Sequence, residues 1–149
     1  MRYRRANLPG ASYFFTVNLA ERKSRLLVDH VDVLRESVRR VKTAHPFVID
    51  AMVIMPDHLH TLWTLPEGDS DFSTRWGLIK SGFSRQLEVT ERISASRQTK
   101  GERGIWQRRF LRHAQDKFGS ILSGMITTLN AMSIIFTIIR SNMVLCYVL

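Results

Sequence analysis

Two histidines stand two residues apart in an apolar, strand-like segment, Met55–Trp63. Successive side chains of a strand alternate between its faces, so His58 and His60 are predicted to project from one face and Leu59 from the other. Two imidazoles that converge on one point can bind a divalent metal ion, and a bound metal ion can polarise a phosphate. The pair therefore predicts chemistry on nucleic acid, provided that the rest of the chain attracts a polyanion.

The charge balance of the chain favours such a partner. Its 149 residues include 22 lysines and arginines but 13 acidic residues, for a formal net charge of +9. The planar guanidinium group of arginine suits phosphate oxygens, and binding of this kind weakens as the salt concentration rises. DNA or RNA is therefore the predicted partner, and an ordinary solvated basic surface is the alternative.

The hydrophobic pattern predicts strands and helices that alternate within one domain. The polar segment 88–103 is expected to be a mobile connector. The order of the elements predicts an α+β fold with a ferredoxin-like antiparallel sheet and two packed helices. The predicted elements are strands at Tyr13–Leu19, Phe47–Met55 and His58–Leu65, helices at Val31–Thr43 and Asp71–Gln86 with Asp71 or Ser73 as the N-cap, and a short strand or loop at Gly104–Phe110.

The last part of the chain has a different character. No charged residue occurs from Gly119 to Ile139, a stretch long enough to cross a bilayer, so a membrane anchor is one interpretation. The tail is expected to be irregular or helical. Cys146 is the only cysteine, and the first five residues lack the apolar stretch of a secretory signal. Both features favour a reducing, cytoplasmic location.

The body of the chain resembles the REP-associated tyrosine transposases, a branch of the single-tyrosine HUH transposases. The resemblance lies in four blocks that occur in order: Tyr3-Arg4-Arg5, YFFTVNL from Tyr13, MPDHLHTLWTLPEGDSDFSTRW from Met55, and IWQRRF from Ile105. It implies metal-dependent cleavage and rejoining of single-stranded hairpin DNA. In this family a tyrosine on a downstream helix attacks a DNA phosphate and forms a 5′-phosphotyrosine link, which releases a 3′-hydroxyl.

The resemblance also assigns roles to particular residues. It implies that His58 and His60 are ligands of Mg²⁺ or Mn²⁺, and imidazole nitrogen favours Mn²⁺ of the two. Asp57 is expected either to orient a histidine or to form the turn. Trp63 and Trp76 are expected in the core. The predicted DNA-binding residues are Tyr3, Arg4 and Arg5, which resemble the N-terminal patch of the family, and Lys80, Arg85, Arg108 and Arg109, which are candidate phosphate contacts by their charge.

The family's next block, which reads approximately WEH-x-IRD, DF and HVDYIHYNPVKHG and contains the nucleophilic tyrosine, is missing after Phe110. The last tyrosine of this chain, Tyr147, has no such context. The third metal ligand, which follows the nucleophile by one helical turn, is missing with it. Metal binding is therefore expected to be weak or absent, and the catalytic tyrosine is expected to be absent.

The genetic code offers an explanation for the missing block. If the reading frame is shifted back by one base from Phe118, Met125 before Ile126 must give Asp, and Met143 before Val144 must give Gly. Compatible codons elsewhere yield WEHFIRDDHDFERHVDYIHYNPVKHG without a break. Codons for Tyr, His, Asn and Asp end in AT or AC, which begin Ile, Met and Thr codons one frame over. The apolar tail is thus interpreted as an out-of-frame translation and no true membrane span is expected.

Three hypotheses follow from the sequence. The chain is divided into an HUH transposase-like domain at 1–110, an insertion at 111–118 that shifted the frame, and an out-of-frame tail at 119–149. The first hypothesis is a transposase of DNA transposition that has lost its nucleophile. The second is a catalytically dead module that binds DNA hairpins. The third takes the tail at face value, as the anchor of a membrane-tethered basic domain.

Overall fold

The computed structural model describes residues 9–91, 93–115 and 145–147. Within these ranges the strands and helices follow one another in the order expected of an α+β domain. They are β1 (Ser12–Asn18), α1 (Leu26–Asp29), α2 (Val31–Ala44), β2 (Val48–Ile54), β3 (His58–Thr64), α3 (Phe72–Arg85), α4 (Ala95–Gln98), β4 (Leu111–Gln115) and β5 (Leu145–Tyr147).

The sheet has the strand order β4-β1-β3-β2-β5. The first four strands pair antiparallel, and α2 and α3 pack against each other on one face of them. This is the ferredoxin-like arrangement, so the predicted fold class is confirmed. The short β5 adds a parallel edge beside β2, where the pattern of the tail predicted irregular or helical structure.

The alternating sequence of β1 explains why it forms a two-sided strand. Tyr13, Phe15 and Val17 are fully buried towards the helices, and the residues between them are partly exposed. On β3 the indole ring of Trp63 stacks on that of Trp76 from α3, with centroids 4.4 Å apart and planes inclined at 14°. Both tryptophans belong to the core, as the sequence predicted.

The two long helices begin and end close to the predicted positions. On α2, the residues Leu34, Val38 and Val41 lie on the buried face, which is the spacing of one face of a helix. The carboxylate of Asp71 accepts a hydrogen bond from the backbone N–H of Thr74 at 3.0 Å, so Asp71 is the N-cap of α3.

The structure differs from the predictions between α3 and the sheet edge. The segment 88–103, predicted to be a mobile connector, contains α4 and is anchored by Arg103. The guanidinium group of Arg103 pairs with Glu91 at 2.6 Å and donates to the carbonyl oxygens of Ser84, Leu87 and Glu88. A long-range side chain thus satisfies carbonyls at the end of α3, which local composition did not indicate.

The fourth strand also lies elsewhere than predicted. In the segment Gly104–Phe110 the pairing is limited to an isolated bridge between Trp106 and Leu19. The edge strand β4 instead occupies Leu111–Gln115, inside the segment interpreted as an insertion, and pairs with β1. The chain that follows Phe110 therefore completes the antiparallel sheet.

No helix of the described ranges is long and apolar enough to cross a membrane. The stretch Gly119–Ile139, for which an anchor was one interpretation, lies outside the described residues.

A buried arginine ties α3 to the start of β2. Arg75 is 4% exposed. Its guanidinium group donates to the carbonyl oxygens of His45, Pro46 and Asp71, at 3.1, 2.8 and 2.7 Å, and to the carboxylate of Asp69 at 2.7 Å. The hydrogen bond from Arg75 is the main reason why the pKa of Asp69 lies below its usual range. One cation therefore satisfies four oxygens that would otherwise be poorly solvated.

We expect Arg75→Gln to lower the free energy of unfolding by about 3–5 kcal/mol, because removing one partner of a buried ion pair leaves the others unsatisfied. The exposed Arg85→Gln on the same helix is the matched control and should change it by less than about 0.5 kcal/mol. Urea titration at pH 7 measures both, and equal effects would contradict the structural role of Arg75.

The decrease in the free energy of unfolding caused by Arg75→Gln should also depend on pH. Since the pKa of Asp69 is lowered in the folded state, the ion pair stabilises the protein above the usual carboxyl pKa of about 4 and ceases to do so as the pH falls through the lowered value. The difference in the free energy of unfolding between wild type and Arg75→Gln should therefore become smaller as the pH falls.

Candidate functional site

The two histidines of β3 lie on the same face of the sheet, opposite the helices. The centroids of the His58 and His60 rings are 5.0 Å apart, and the ring planes are inclined at 82°. Leu59, between them in sequence, is 1% exposed and belongs to the core. The predicted alternation is confirmed, and it brings the two imidazoles to one place.

A hydrogen bond at Nδ1 fixes the orientation of each ring. The carboxylate of Asp57 accepts from Nδ1 of His58 at 2.7 Å, and the hydroxyl of Thr16 on β1 lies 2.9 Å from Nδ1 of His60. Asp57 also pairs with the guanidinium group of Arg22 at 2.8 Å. Such contacts select the tautomer and orient metal-binding histidines. Asp57 thus has the orienting position that the sequence offered as one alternative.

The surroundings of His60 favour its neutral form. Burial lowers the pKa of His60, and the proximity of His58 lowers it further. The ring also stacks on Phe14, with centroids 5.7 Å apart and planes inclined at 14°. Neutral imidazole is the form that donates a lone pair to a metal ion, so this environment suits His60 as a ligand.

The pair nevertheless supplies only part of a metal site. No group of three or more His, Cys, Asp or Glu residues that could hold a metal ion occurs in the described part of the chain. Two imidazole nitrogens fit two positions around Mn²⁺ but do not match the oxygen-rich shell that Mg²⁺ prefers. His58 and His60 would hold the ion, and the described residues do not complete its coordination.

Lys80, predicted to contact phosphate, is half-buried on α3. Its ammonium group lies over the rings of Phe110 and Trp106, 5.1 and 5.6 Å from their centroids, and donates to the carbonyl oxygen of Gln107 at 3.3 Å. Burial lowers the pKa of Lys80 to about 8. Trp106 is 9% exposed, and its indole N–H donates to the hydroxyl of Ser84 at 3.0 Å.

The three predicted arginines differ in their freedom to bind phosphate. Arg85 and Arg109 are exposed, and neither forms an ion pair or hydrogen bond with another described residue. Arg108 pairs with Glu102 at 2.8 Å and contacts Ser96. Arg85 and Arg109 are therefore available to an anion, whereas Arg108 would share an anion with a carboxylate.

The predicted DNA-binding residues Tyr3, Arg4 and Arg5 lie outside the described residues. Tyr13 is fully buried, with its ring 5.2 Å from that of Phe72. The backbone of Tyr147 forms part of β5.

Residues that the sequence did not single out connect the site to its surroundings. Asn18, the cross-strand partner of His58, accepts a hydrogen bond from Arg22 at 3.1 Å and donates to the side chain of Gln107 at 3.4 Å. Thr16 is the cross-strand partner of His60. Both partners follow from the register of β1 against β3, which no local pattern in the sequence gives.

The chain is similar to known transposases. The family described as "Transposase IS200 like" matches residues 9–118. A REP-associated tyrosine transposase from Escherichia coli (strain K12) is 44% identical over 112 residues, which are 75% of this chain and 60% of the relative. A relative from Haemophilus influenzae is 38% identical over 112 residues, 74% of this chain and 64% of its own length. The chain thus spans about three fifths of the length of these curated relatives.

Solved structures are similar as well. A REP-associated tyrosine transposase bound to a REP hairpin superposes with a TM-score of 0.67 at 40% identity, over 83% of this chain and 67% of the solved chain. A structure from Deinococcus radiodurans has a TM-score of 0.53 at 18% identity, over 87% of this chain and 97% of the other, and shares the fold.

We expect the full chain to bind Mn²⁺ with a dissociation constant above about 1 μM, because two imidazole ligands leave most of the coordination sphere to water. Isothermal titration calorimetry measures the affinity, with His58→Ala/His60→Ala as the variant that should lose any residual binding. His30→Ala/His45→Ala is the matched control. Sub-micromolar binding that depends on His58 and His60 would contradict an incomplete site.

We expect Lys80→Met to raise the free energy of unfolding at pH 7 by about 1–2 kcal/mol, since burial of the ammonium group opposes its charge. The pKa of about 8 in the folded protein lies below the ordinary value of 10.5, so the unfolded chain holds the proton more tightly between these values. Wild-type stability should therefore rise over this pH range and approach that of the variant. Urea titrations across the range test this, with the exposed Lys42→Met as control; a constant difference would contradict it.

Proposed function

This chain belongs to the IS200-like transposases and, within them, to the REP-associated tyrosine transposases, and we propose that it descends from an enzyme that cut and rejoined single-stranded hairpin DNA. The observation that carries the proposal is the pair of imidazoles on β3, each contacted at Nδ1 and both on the face away from the helices. The relative bound to a REP hairpin supports DNA of this kind as the partner.

The two histidines would act by holding a metal ion next to the phosphate. His58 is oriented by Asp57, and Asp57 is in turn held by Arg22. His60 is oriented by Thr16 and kept neutral by burial. A metal ion bound there supplies neutralisation of charge on the non-bridging phosphate oxygens, the main requirement of phosphoryl transfer. In the ancestral reaction a tyrosine oxygen forms a bond to phosphorus, and the bond from phosphorus to the 3′-oxygen breaks.

The chain is proposed to lack that tyrosine. Tyr13 is a core residue, and its hydroxyl cannot reach a phosphate without opening the sheet from the helices. Tyr147 belongs to the tail interpreted as out of frame, and Tyr3 belongs to the N-terminal block that resembles a DNA-contact patch. Strand cleavage would then be lost, and metal binding at His58 and His60 would be weak or absent.

The proposed origin of this loss is the frame shift near Phe118. The family match extends to residue 118, and the shifted frame can spell the missing block from that point. Leu111–Gln115 forms β4 and lies within the residues that the family model matches, so this edge strand fits the family's fold and the frame shift would begin after it. The tail after Gly119 would be neither a selected membrane span nor a catalytic helix.

A second candidate function is a DNA-hairpin-binding module without cleavage. Arg85 and Arg109 favour it, since both are exposed and neither pairs with a carboxylate in the described part of the chain, and phosphate binding needs available cations but no nucleophile. A protein of this kind would act on bacterial DNA in the cytoplasm by occluding its site. The membrane-tethered basic domain, the third hypothesis, depends on Gly119–Ile139, which lies outside the described residues.

We expect no covalent protein–DNA product when the chain is incubated with Mn²⁺ and hairpin-bearing single-stranded DNA and analysed on a denaturing gel. The matched control is a variant in which residues 119–149 are replaced by the shifted-frame sequence. This variant carries the family tyrosine. A covalent band from the control alone supports the proposal. A band from the unaltered chain would show that it retains a nucleophile.

Binding is measured separately, in a native gel shift. We expect the unaltered chain to bind the hairpin and the affinity to fall steeply as salt rises, since phosphate contacts release counterions. No binding at low salt would contradict both the hairpin-binding module and the proposed ancestry of its basic surface.

A further inference from the structure

A cleft of about 480 Å³ lies between α3 and the segment 101–108, on the helical side of the sheet. This volume is in the range of small-ligand sites. Several of its lining residues are cationic or polar. They are Lys80, Ser81, Ser84, Arg85, Arg103, Gln107 and Arg108, with Glu102 as the carboxylate among the described lining residues.

The cations in the cleft are not equally committed to the fold. Arg103 pairs with Glu91 and donates hydrogen bonds to carbonyl oxygens at the end of α3. Arg85 forms no ion pair or hydrogen bond within the described ranges, and Arg108 is held by the single carboxylate of Glu102. Lys80 is half-buried, and among the described residues its contacts are aromatic rings and the carbonyl oxygen of Gln107 but no carboxylate. The cleft therefore has more positive charge than its own acidic residue neutralises.

The cleft is joined to the histidine pair by a short series of contacts. The backbone N–H of Gln107 donates to the carbonyl oxygen of Asn18 at 3.0 Å, and their side chains meet at 3.4 Å. Asn18 is the cross-strand partner of His58. Lys80 donates to the carbonyl oxygen of Gln107 at 3.3 Å. The histidines and the cleft lie on opposite sides of the sheet, so a strand of DNA that contacts both would pass around the end of β1 at Asn18 and Gln107.

We propose that this cleft binds a backbone phosphate of single-stranded DNA adjacent to the phosphodiester at the histidine pair, with Arg85 and Lys80 as its main contacts and Glu102 as a competitor for Arg108. The inference rests on the proposed function, because it extends the same DNA path. A phosphate suits the cleft better than a stacked base, since the indole of Trp106 is buried beneath the ammonium group of Lys80.

The first test compares charge changes inside and outside the cleft. We expect Arg85→Gln to weaken binding of a hairpin with a single-stranded flank by about 5–10-fold and to lower the salt slope of binding by about one, as loss of one phosphate contact predicts. The control Arg40→Gln removes the same charge from α2, where Glu36 also pairs with Arg39. Equal effects of the two variants would show that only net charge matters and would overturn the proposal.

Removal of a negative charge from the cleft should have the opposite effect on DNA binding. Glu102→Gln removes the competing carboxylate and releases Arg108, so binding should tighten by about 3-fold. Glu67→Gln, at an exposed loop position, is the matched control for charge. Tighter binding in both variants alike, or weaker binding in Glu102→Gln, would contradict a phosphate in this cleft.

A neutral methylphosphonate, placed at one position at a time along the flank, locates the contact. The substitution that weakens wild-type binding through the cleft should cost Arg85→Gln nothing further, because the contact is already lost. Equal penalties in both proteins at every position would exclude the cleft and leave the proposed function intact. If wild type does not bind the hairpin at all, the proposed function and the cleft both fail.

Discussion

The stacking of Trp63 on Trp76 fixes the register of β3, and the register decides where the histidines lie. A slip of one residue along a strand moves every side chain to the other face. Such a slip would bury His58 and His60 against the helices and expose an indole of the core. Both indole N–H groups are buried without a hydrogen-bond partner among the described residues, so packing of the rings is what holds this contact. The position of the candidate site is thus a consequence of the core on the other side of the sheet.

The parts of the fold that could be predicted are those with a strong local period. The alternation in β1 and β3 and the helical spacing in α2 gave these elements to within two residues, and together they gave the ferredoxin-like order. The four-residue α1 escaped prediction because it is shorter than two helical turns. The edge strand β4 escaped because its formation depends on pairing with β1, which is distant in sequence.

In the candidate site, too, local patterns predicted some features, whereas others depend on contacts between distant parts of the chain. The shared face of His58 and His60 follows from alternation alone, and the orienting position of Asp57 follows from its place beside His58. The contact of Thr16 with His60 could not be predicted, because it requires the register of two strands. The basic residues show the limit of composition: Arg75 and Arg103 are committed to backbone oxygens, and Lys80 is half-buried over aromatic rings. A net charge of +9 therefore overstates how many cations are free to contact DNA.

We propose that β3 has kept the two histidines that would hold a metal ion, whereas the nucleophilic tyrosine of the family is missing from this chain. The most direct measurement is the nucleotide sequence of the gene from Phe110 through the codon for Leu149. We expect the frame shifted back by one base from Phe118 to read WEHFIRD and then a VDY tyrosine, without a stop codon before the final glycine of the block. Codons that cannot spell this block in the shifted frame would contradict it, and the tail would then have to be explained as a selected part of the protein.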